Sequence, residues 1–445
     1  MSELSNLKSQ LNLYWSIAVN FFKQSLFTNA SYLVGIEALK SLIGFIFWGL
    51  ATQLYAPTEI GLASSLIAAV TLVSLIAGLG TGNGLIRFLP ESRHPNRMLN
   101  SLFIFNNAAA FIVGGLILLG LTYLSPSLAF LGQDLLLVVG FLAFGIITTF
   151  AGSLRLTYVA MRQASYAFWQ SAWVNCSRLM FLILFTGFGV WGLVGSVGLA
   201  FFVSILIGFF VYLPRAMPSY QPYFTLAKTD LLRILPFSLG TYLAFLLIQA
   251  PTRMLPIIVL DSIGADSAAH VQIAWLVGGM LVMPGLALGT SAFVEASNSP
   301  KISIDIFSKA WLSGFPITIL IALFMFVVAP WFLFLFGPSY SSEGTPLLKW
   351  LSAAAPLVVM VSIYFSLLQF QKRIRRLIAL SSVVAVATLV FTVGLIPFIG
   401  IKAVGLGWFF GYLLVALVAI KDVLVGNSIN GIWLYIQKFL SRLSS

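Results

Sequence analysis

Long apolar blocks run the length of this chain, separated by short polar segments. Most of the blocks reach the roughly 20 residues a helix needs to cross a hydrocarbon core. They predict twelve membrane-spanning helices, near 29–54, 60–89, 98–124, 134–154, 164–187, 190–213, 233–261, 267–294, 305–336, 346–370, 377–397 and 401–421. Two amphipathic segments flank this array, 7–22 and 429–443, with Trp15, Trp433 and Tyr435 as anchors. Such segments are expected to lie on the membrane surface. No polar stretch is long enough for a separate soluble domain. The longest, 214–232, reads as a linker between two groups of six spans.

Composition supports the same class. Of 445 residues, 60% are apolar and 8% charged, with a mean hydropathy of +1.02. A soluble chain of this length needs more charge to cover its surface. The net charge of +12 would suggest nucleic acid in a soluble protein. Here the basic residues flank the spans, which makes them a topology signal. The N-terminus, the even-numbered loops and the C-terminus hold nineteen basic residues, among them Arg93, Arg97, Arg155, Arg162, Lys372 and Arg373. The odd-numbered loops hold two, Lys349 and Lys402, beside Glu59, Asp134, Asp261, Asp266 and Glu343. The bias predicts an integral protein of the cell (inner or plasma) membrane with both termini cytoplasmic.

The two groups of spans are weakly similar at a separation of about 210 residues. Tyr32-Leu33 recurs as Tyr242-Leu243, Gly80-Thr81 as Gly289-Thr290, and Val194-Gly195 as Val404-Gly405. An even number of spans per repeat gives both copies the same orientation, with a pseudo-two-fold axis along the membrane normal. The expected fold is therefore an all-α polytopic membrane protein of about twelve transmembrane helices in two six-helix lobes. Its parts are an interfacial segment (1–28), a first lobe (29–213), the linker (214–232), a second lobe (233–421) and an interfacial helix (422–445).

Four charged residues fall well inside spans: Glu37, Lys40, Arg178 and Arg253. A mid-bilayer charge costs roughly 2.5–3.5 kcal/mol on insertion scales, so each needs a cavity or a partner. Glu37 and Lys40 are three apart and share a helix face. They either neutralise each other or sit on a cavity wall, where Glu37 is the candidate for ion coupling. Arg178 and Arg253 have no acid at helical spacing. Either they pair with a backbone carbonyl, Glu37 or Asp261, or they converge as a phosphate site, because guanidinium forks match phosphate oxygens. Pro251 and Pro256 bracket Arg253 and weaken its helix. Asn83, Asn106, Asn107, Gln249, Gln272 and Gln369 suit either sugar hydroxyls or helix–helix contacts. Cys176 reads as a small packing residue, and His94 and His270 as solvated groups without metal-ligand partners.

No phosphate-binding G-x-x-x-x-G-K-[ST] loop, H-E-x-x-H or G-x-S-x-G pattern occurs, and no loop pairs two Asp residues for a metal. The chain is expected to be no enzyme and to use no cofactor or metal.

The stretch 54–63, containing Pro57, Glu59 and Gly61, followed by the Gly-rich stretch 78–89 ending near Arg87, resembles the first two helices of polysaccharide-biosynthesis flippases. These belong to the multidrug/oligosaccharidyl-lipid/polysaccharide exporter superfamily. Arg253, with Asp261-Ser262-Ile263-Gly264 after it, is similar to that family's seventh helix and its closing turn. The family's acid before this arginine is Thr252 here. The resemblance implies a cationic central cavity and an alternating-access cycle. It also implies a substrate of oligosaccharide on a polyprenyl pyrophosphate, carried from the cytoplasmic to the outer leaflet for surface polysaccharide synthesis. Arg178 and Arg253 would meet the pyrophosphate, and Asn83, Asn106, Asn107 and Gln249 the sugar. A polysaccharide polymerase and a chain-length regulator are the implied protein partners. The competing readings are an ion-coupled exporter of small amphiphilic solutes and a non-transporting scaffold of a polysaccharide-synthesis complex.

Overall fold

The computed structural model describes residues 25–298 and 303–425. The flanking amphipathic segments predicted at 7–22 and 429–443 lie outside them. The described residues form helices joined by short turns: α1 (Ser25–Leu54), α2 (Pro57–Ala77), α3 (Thr81–Phe88), α4 (Pro95–Leu124), α5 (Leu135–Ala160), α6 (Ala164–Leu184), α7 (Gly189–Ile207), α8 (Leu213–Ala216), α9 (Lys228–Ile263), α10 (Ala265–Asn298), α11 (Ser303–Phe334), α12 (Pro338–Phe370), α13 (Ile374–Ile399) and α14 (Lys402–Val425). Each of the twelve predicted spans is present. Eleven are long and apolar enough to cross a membrane. The other, α6, has the length but carries Gln170, Asn175 and Arg178. Large apolar side chains such as Phe111, Leu116, Leu320 and Phe324 point outward, as hydrocarbon contact requires.

The second predicted span is broken. Between α2 and α3 the chain turns at Leu79 (φ 44°) and Gly80 (φ 67°). Gly80 has a second reason to be glycine, since a Cβ there would lie 2.5 Å from Tyr242 Cβ. The sixth span contains a π-helical turn, Gly208–Tyr212, which leads into α8.

The helices of the first six spans pair in the same scheme as those of the last six. α1 packs on α6 as α9 does on α13, and α4 on α5 as α11 does on α12. α2 packs on α5 as α10 does on α12, and α6 on α7 as α13 does on α14. Local backbone repeats with it, at roughly the same 210-residue separation. Arg162 and Lys372 both have φ 58°, and Gly189 and Gly400 have φ 55° and 60°.

The two groups of spans meet chiefly through α2, which lies against both α9 and α10. Small residues allow the approach. A Cβ on Gly61 would fall 1.7 Å from the Ala265 carbonyl oxygen. Ser65 Oγ donates to the Pro256 carbonyl at 3.0 Å, and the Ser127 N–H donates to Asp261 Oδ1 at 3.0 Å. At the basic end, α4 and the turn before it hold the start of α9 through Arg97–Asp230 (3.2 Å) and Arg233–Glu91 (3.9 Å). The linker is pinned there too: Asn96 and Asn100 donate to the Ser219 and Gln221 carbonyls, and Tyr220 donates to Asn100 Oδ1 at 2.7 Å. Burial pushes the Tyr220 hydroxyl up to about 12, so it stays a donor at neutral pH. On the opposite flank α1 and α10 touch little. One contact there is Ser41 Oγ to Met283 Sδ at 3.3 Å.

Prolines inside helices fall in the second half only: Pro236, Pro251 and Pro256 in α9, Pro284 in α10, Pro316 and Pro330 in α11, Pro346 and Pro356 in α12, and Pro397 in α13. Each removes one backbone donor from its helix.

Candidate functional site

A cavity of 350 Å³ lies where α1, α2, α6 and α7 face α9 and α10. Arg178 of α6 and Arg253 of α9 both line it, together with Phe47, Trp48, Gln249, Thr252, Gln272 and Trp275. The two arginines far apart in sequence are therefore brought to one space. No Asp or Glu lines that space.

Neither arginine forms an ion pair among the described residues. The acids that could neutralise them are engaged elsewhere. Asp261 accepts from the Ser127 N–H. Glu37 is paired with Lys40 at 3.0 Å, and both side chains are more than half exposed. Glu37 also lies in electrostatic range of Arg155. Arg178 has its guanidinium carbon 5.0 Å from the Phe47 ring centroid, and its Nε is buried without a hydrogen-bond partner. The aromatic face supplies part of the missing stabilisation, about 0.5–2 kcal/mol for such contacts. An unpartnered guanidinium N–H inside a membrane protein is costly, and an anion in the cavity would relieve it.

A larger cavity of 560 Å³ lies beside it, inside the second half. Gln249, Thr252 and Trp275 line both.

The other sequence candidates fall in different places. Asn106 is not available to a ligand as expected. It is buried, and its amide donates to Thr81 Oγ1 (2.9 Å) and Ser153 Oγ (3.0 Å), which ties α3 and α5 to α4 at the helix break. Asn107 has a buried Oδ1 without a partner, and Asn83 is exposed, but neither lines the cavities. Glu37 and Lys40 are likewise outside both. Cys176 is exposed rather than packed in the interior. His270 is buried, not solvated, with its ring 4.9 Å from that of Tyr340.

Arg155 was missed as a functional candidate because its span was placed too short. α5 runs on to Ala160, so Arg155 belongs to the helix and not to the loop. The aromatic residues Trp275, Trp408 and Tyr412 were also missed, because single aromatics in apolar spans give no signal of their own.

Pro57, Glu59 and Gly61 of the stretch 54–63 have a structural use. Pro57 opens α2, the Glu59 carboxylate accepts from the Ala56 N–H at 2.9 Å, and Gly61 lets α10 approach.

No protein-family model matches the chain, and no curated protein matches its sequence. Solved structures do match its fold. The chain is similar to the lipid II flippase MurJ in an inward closed conformation, with a TM-score of 0.71 and 14% identity over 94% of this chain and 93% of that one. An inward-facing multidrug resistance MATE family transporter of the MOP superfamily gives a TM-score of 0.66 and 15% identity, over 88% and 95%. A MOP superfamily transporter from Pyrococcus furiosus, described as having a binding pocket of reversed polarity, gives 0.61 and 16%, over 89% and 93%. The chain thus has the fold of the MOP superfamily transporters.

Proposed function

We propose that this protein is an alternating-access flippase that moves an oligosaccharide on a polyprenyl pyrophosphate from the cytoplasmic to the outer leaflet. One observation carries the reading: Arg178 and Arg253 line one cavity between the two halves, and neither meets a carboxylate. Such a space suits a multivalent anion, and pyrophosphate matches paired guanidinium forks. A cation exporter would call for an acid on the cavity wall, and the linings contain none. The fold supports transport as the class of activity, since the matched structures are transporters and a flippase.

In this reading the two six-span groups are lobes (29–213 and 233–421) that rock about the cavity. The basic end faces the cytoplasm, with both termini. The sparse contact between α1 and α10 leaves a flank through which the polyprenyl tail can stay in lipid while the head group enters. Gln249 meets the sugar, and Glu37, balanced between Lys40 and Arg155, is the coupling acid. A polymerase and a chain-length regulator act on the exported unit.

The test is a deletion strain of the source organism, with the lipid-linked oligosaccharides probed by a membrane-impermeant sugar-modifying reagent. Complete units shielded on the cytoplasmic face, and exposed again when the gene is restored, are expected. Normal outward units in the deletion strain would refute flipping.

A further inference from the structure

The cavity inside the second half is larger than the arginine cavity, and no charged residue lines it. Its walls come from α9, α10, α12, α13 and α14. They combine rings with uncharged donors and acceptors. Trp275 and Trp408 meet edge to face at 4.7 Å, and Tyr412 follows Trp408 at 4.9 Å. Gln249 and Gln369 line the same space. Among the described residues, the indole N–H groups of Trp275 and Trp408, the Tyr412 hydroxyl and both Gln amides have no hydrogen-bond partner. Tyr412 is buried, Trp275, Trp408 and Gln249 are half-buried, and Gln369 is exposed, so these groups are free to meet whatever fills the space. Five uncommitted polar groups on one aromatic-walled cavity therefore point to a polar ligand without net charge.

A sugar ring has this character. One face presents C–H groups that pack on an aromatic ring, and the rim presents hydroxyls that both donate and accept. A Gln amide does the same, so it pairs with hydroxyls in either sense. The hydroxyls of Ser362 and Ser366, spent as donors on backbone carbonyls of α12, keep lone pairs for the same rim. At 560 Å³ the space falls in the roughly 300–1,000 Å³ range of small-molecule sites. It shares Gln249, Thr252 and Trp275 with the arginine cavity, which sets the two side by side for a ligand with a charged and a neutral part.

We propose that the second-half cavity is a carbohydrate subsite, in which Trp275 and Trp408 pack on sugar-ring faces and Gln249, Gln369 and Tyr412 bind the hydroxyls. This places the glycan in the second half, away from Asn83, Asn106 and Asn107 of the first. The proposal rests on the flippase reading for the origin of the sugar.

The test uses full-length protein purified in detergent and two probes: undecaprenyl pyrophosphate without sugar, and the oligosaccharide released by mild acid from the lipid fraction of the source cells. Binding is read by calorimetric titration and by the shift in melting temperature. Gln369→Leu, which removes the amide, and Trp408→Phe, which keeps an aromatic ring but loses the indole N–H, are expected to weaken binding of the released oligosaccharide by about tenfold each. They leave binding of the bare lipid unchanged. Arg253→Ala does the reverse. Oligosaccharide binding that both second-half variants retain at wild-type strength would overturn the subsite, as would bare-lipid binding by a wild type that ignores the oligosaccharide. Oligosaccharide binding lost in the variants, with no bare-lipid binding at all, would support the subsite and overturn the pyrophosphate reading instead.

Discussion

Arg253 stands between Pro251 and Pro256 on α9, and Arg178 lies against Phe47 across the cavity. If they clamp pyrophosphate, charge alone is not enough, because lysine lacks the planar fork. Arg253→Lys is expected to lower flipping in reconstituted vesicles by about tenfold, and Arg253→Ala by more, while both reach the membrane at wild-type level. Asn106 makes the opposite prediction. Its amide is committed to Thr81 and Ser153, so Asn106→Ala should lower the melting temperature, reflecting about 1–3 kcal/mol for buried groups left unpaired. The transport rate of the folded fraction should hold. At this scale the sequence exposed the two arginines, since an unpaired charge in an apolar run is conspicuous. It did not distinguish Asn106 from a ligand group, because polarity inside a span marks helix contacts and sites alike. The Glu37–Lys40 pair was one of two readings their spacing allowed, and it is the one formed; that Asp261 is engaged was not legible, because it depends on where Ser127 comes to lie.

Close-packed glycines shape elements in both halves, such as Gly61 and Gly407, while prolines inside helices fall in the second half. The glycines of α2 and α3 admit α9 and α10 at close range. Gly61→Val is expected to force α2 from Ala265 and to cost about 1–3 kcal/mol, as overpacked sites do. Gly80→Ala adds a strained positive φ to a contact with Tyr242 at 2.5 Å. Both should show lower melting temperatures, measurable by thermal unfolding in detergent. All twelve helices could be read from block length, because hydrocarbon thickness fixes the length of a spanning helix. The break at Leu79–Gly80 could not, since Gly in an apolar run signals close packing as readily as a turn. The end of α5 beyond residue 154 was obscured by Arg155, because a charge at the end of an apolar run reads as the start of a loop.

At the scale of the whole molecule, the two halves repeat one helix-pairing scheme and share the turns at Arg162 and Lys372. The halves touch at the Glu59 end through Gly61 against Ala265 and through Ser127 to Asp261. An alternating cycle has to break those contacts. Cysteines at Ser127 and Asp261, in a Cys176→Ser background and joined by a short bis-thiol reagent, are expected to stop transport, with activity regained on cleavage of the linker.

The most direct measurement reconstitutes the purified protein in vesicles that carry polyprenyl-pyrophosphate oligosaccharide and follows glycan exposure to an impermeant sugar-modifying reagent. The wild type is predicted to expose inner-leaflet glycan faster than empty vesicles, and the Arg178→Ala, Arg253→Ala double variant to match the empty ones. Equal exposure by wild type and double variant would contradict the arginine cavity as the site of transport.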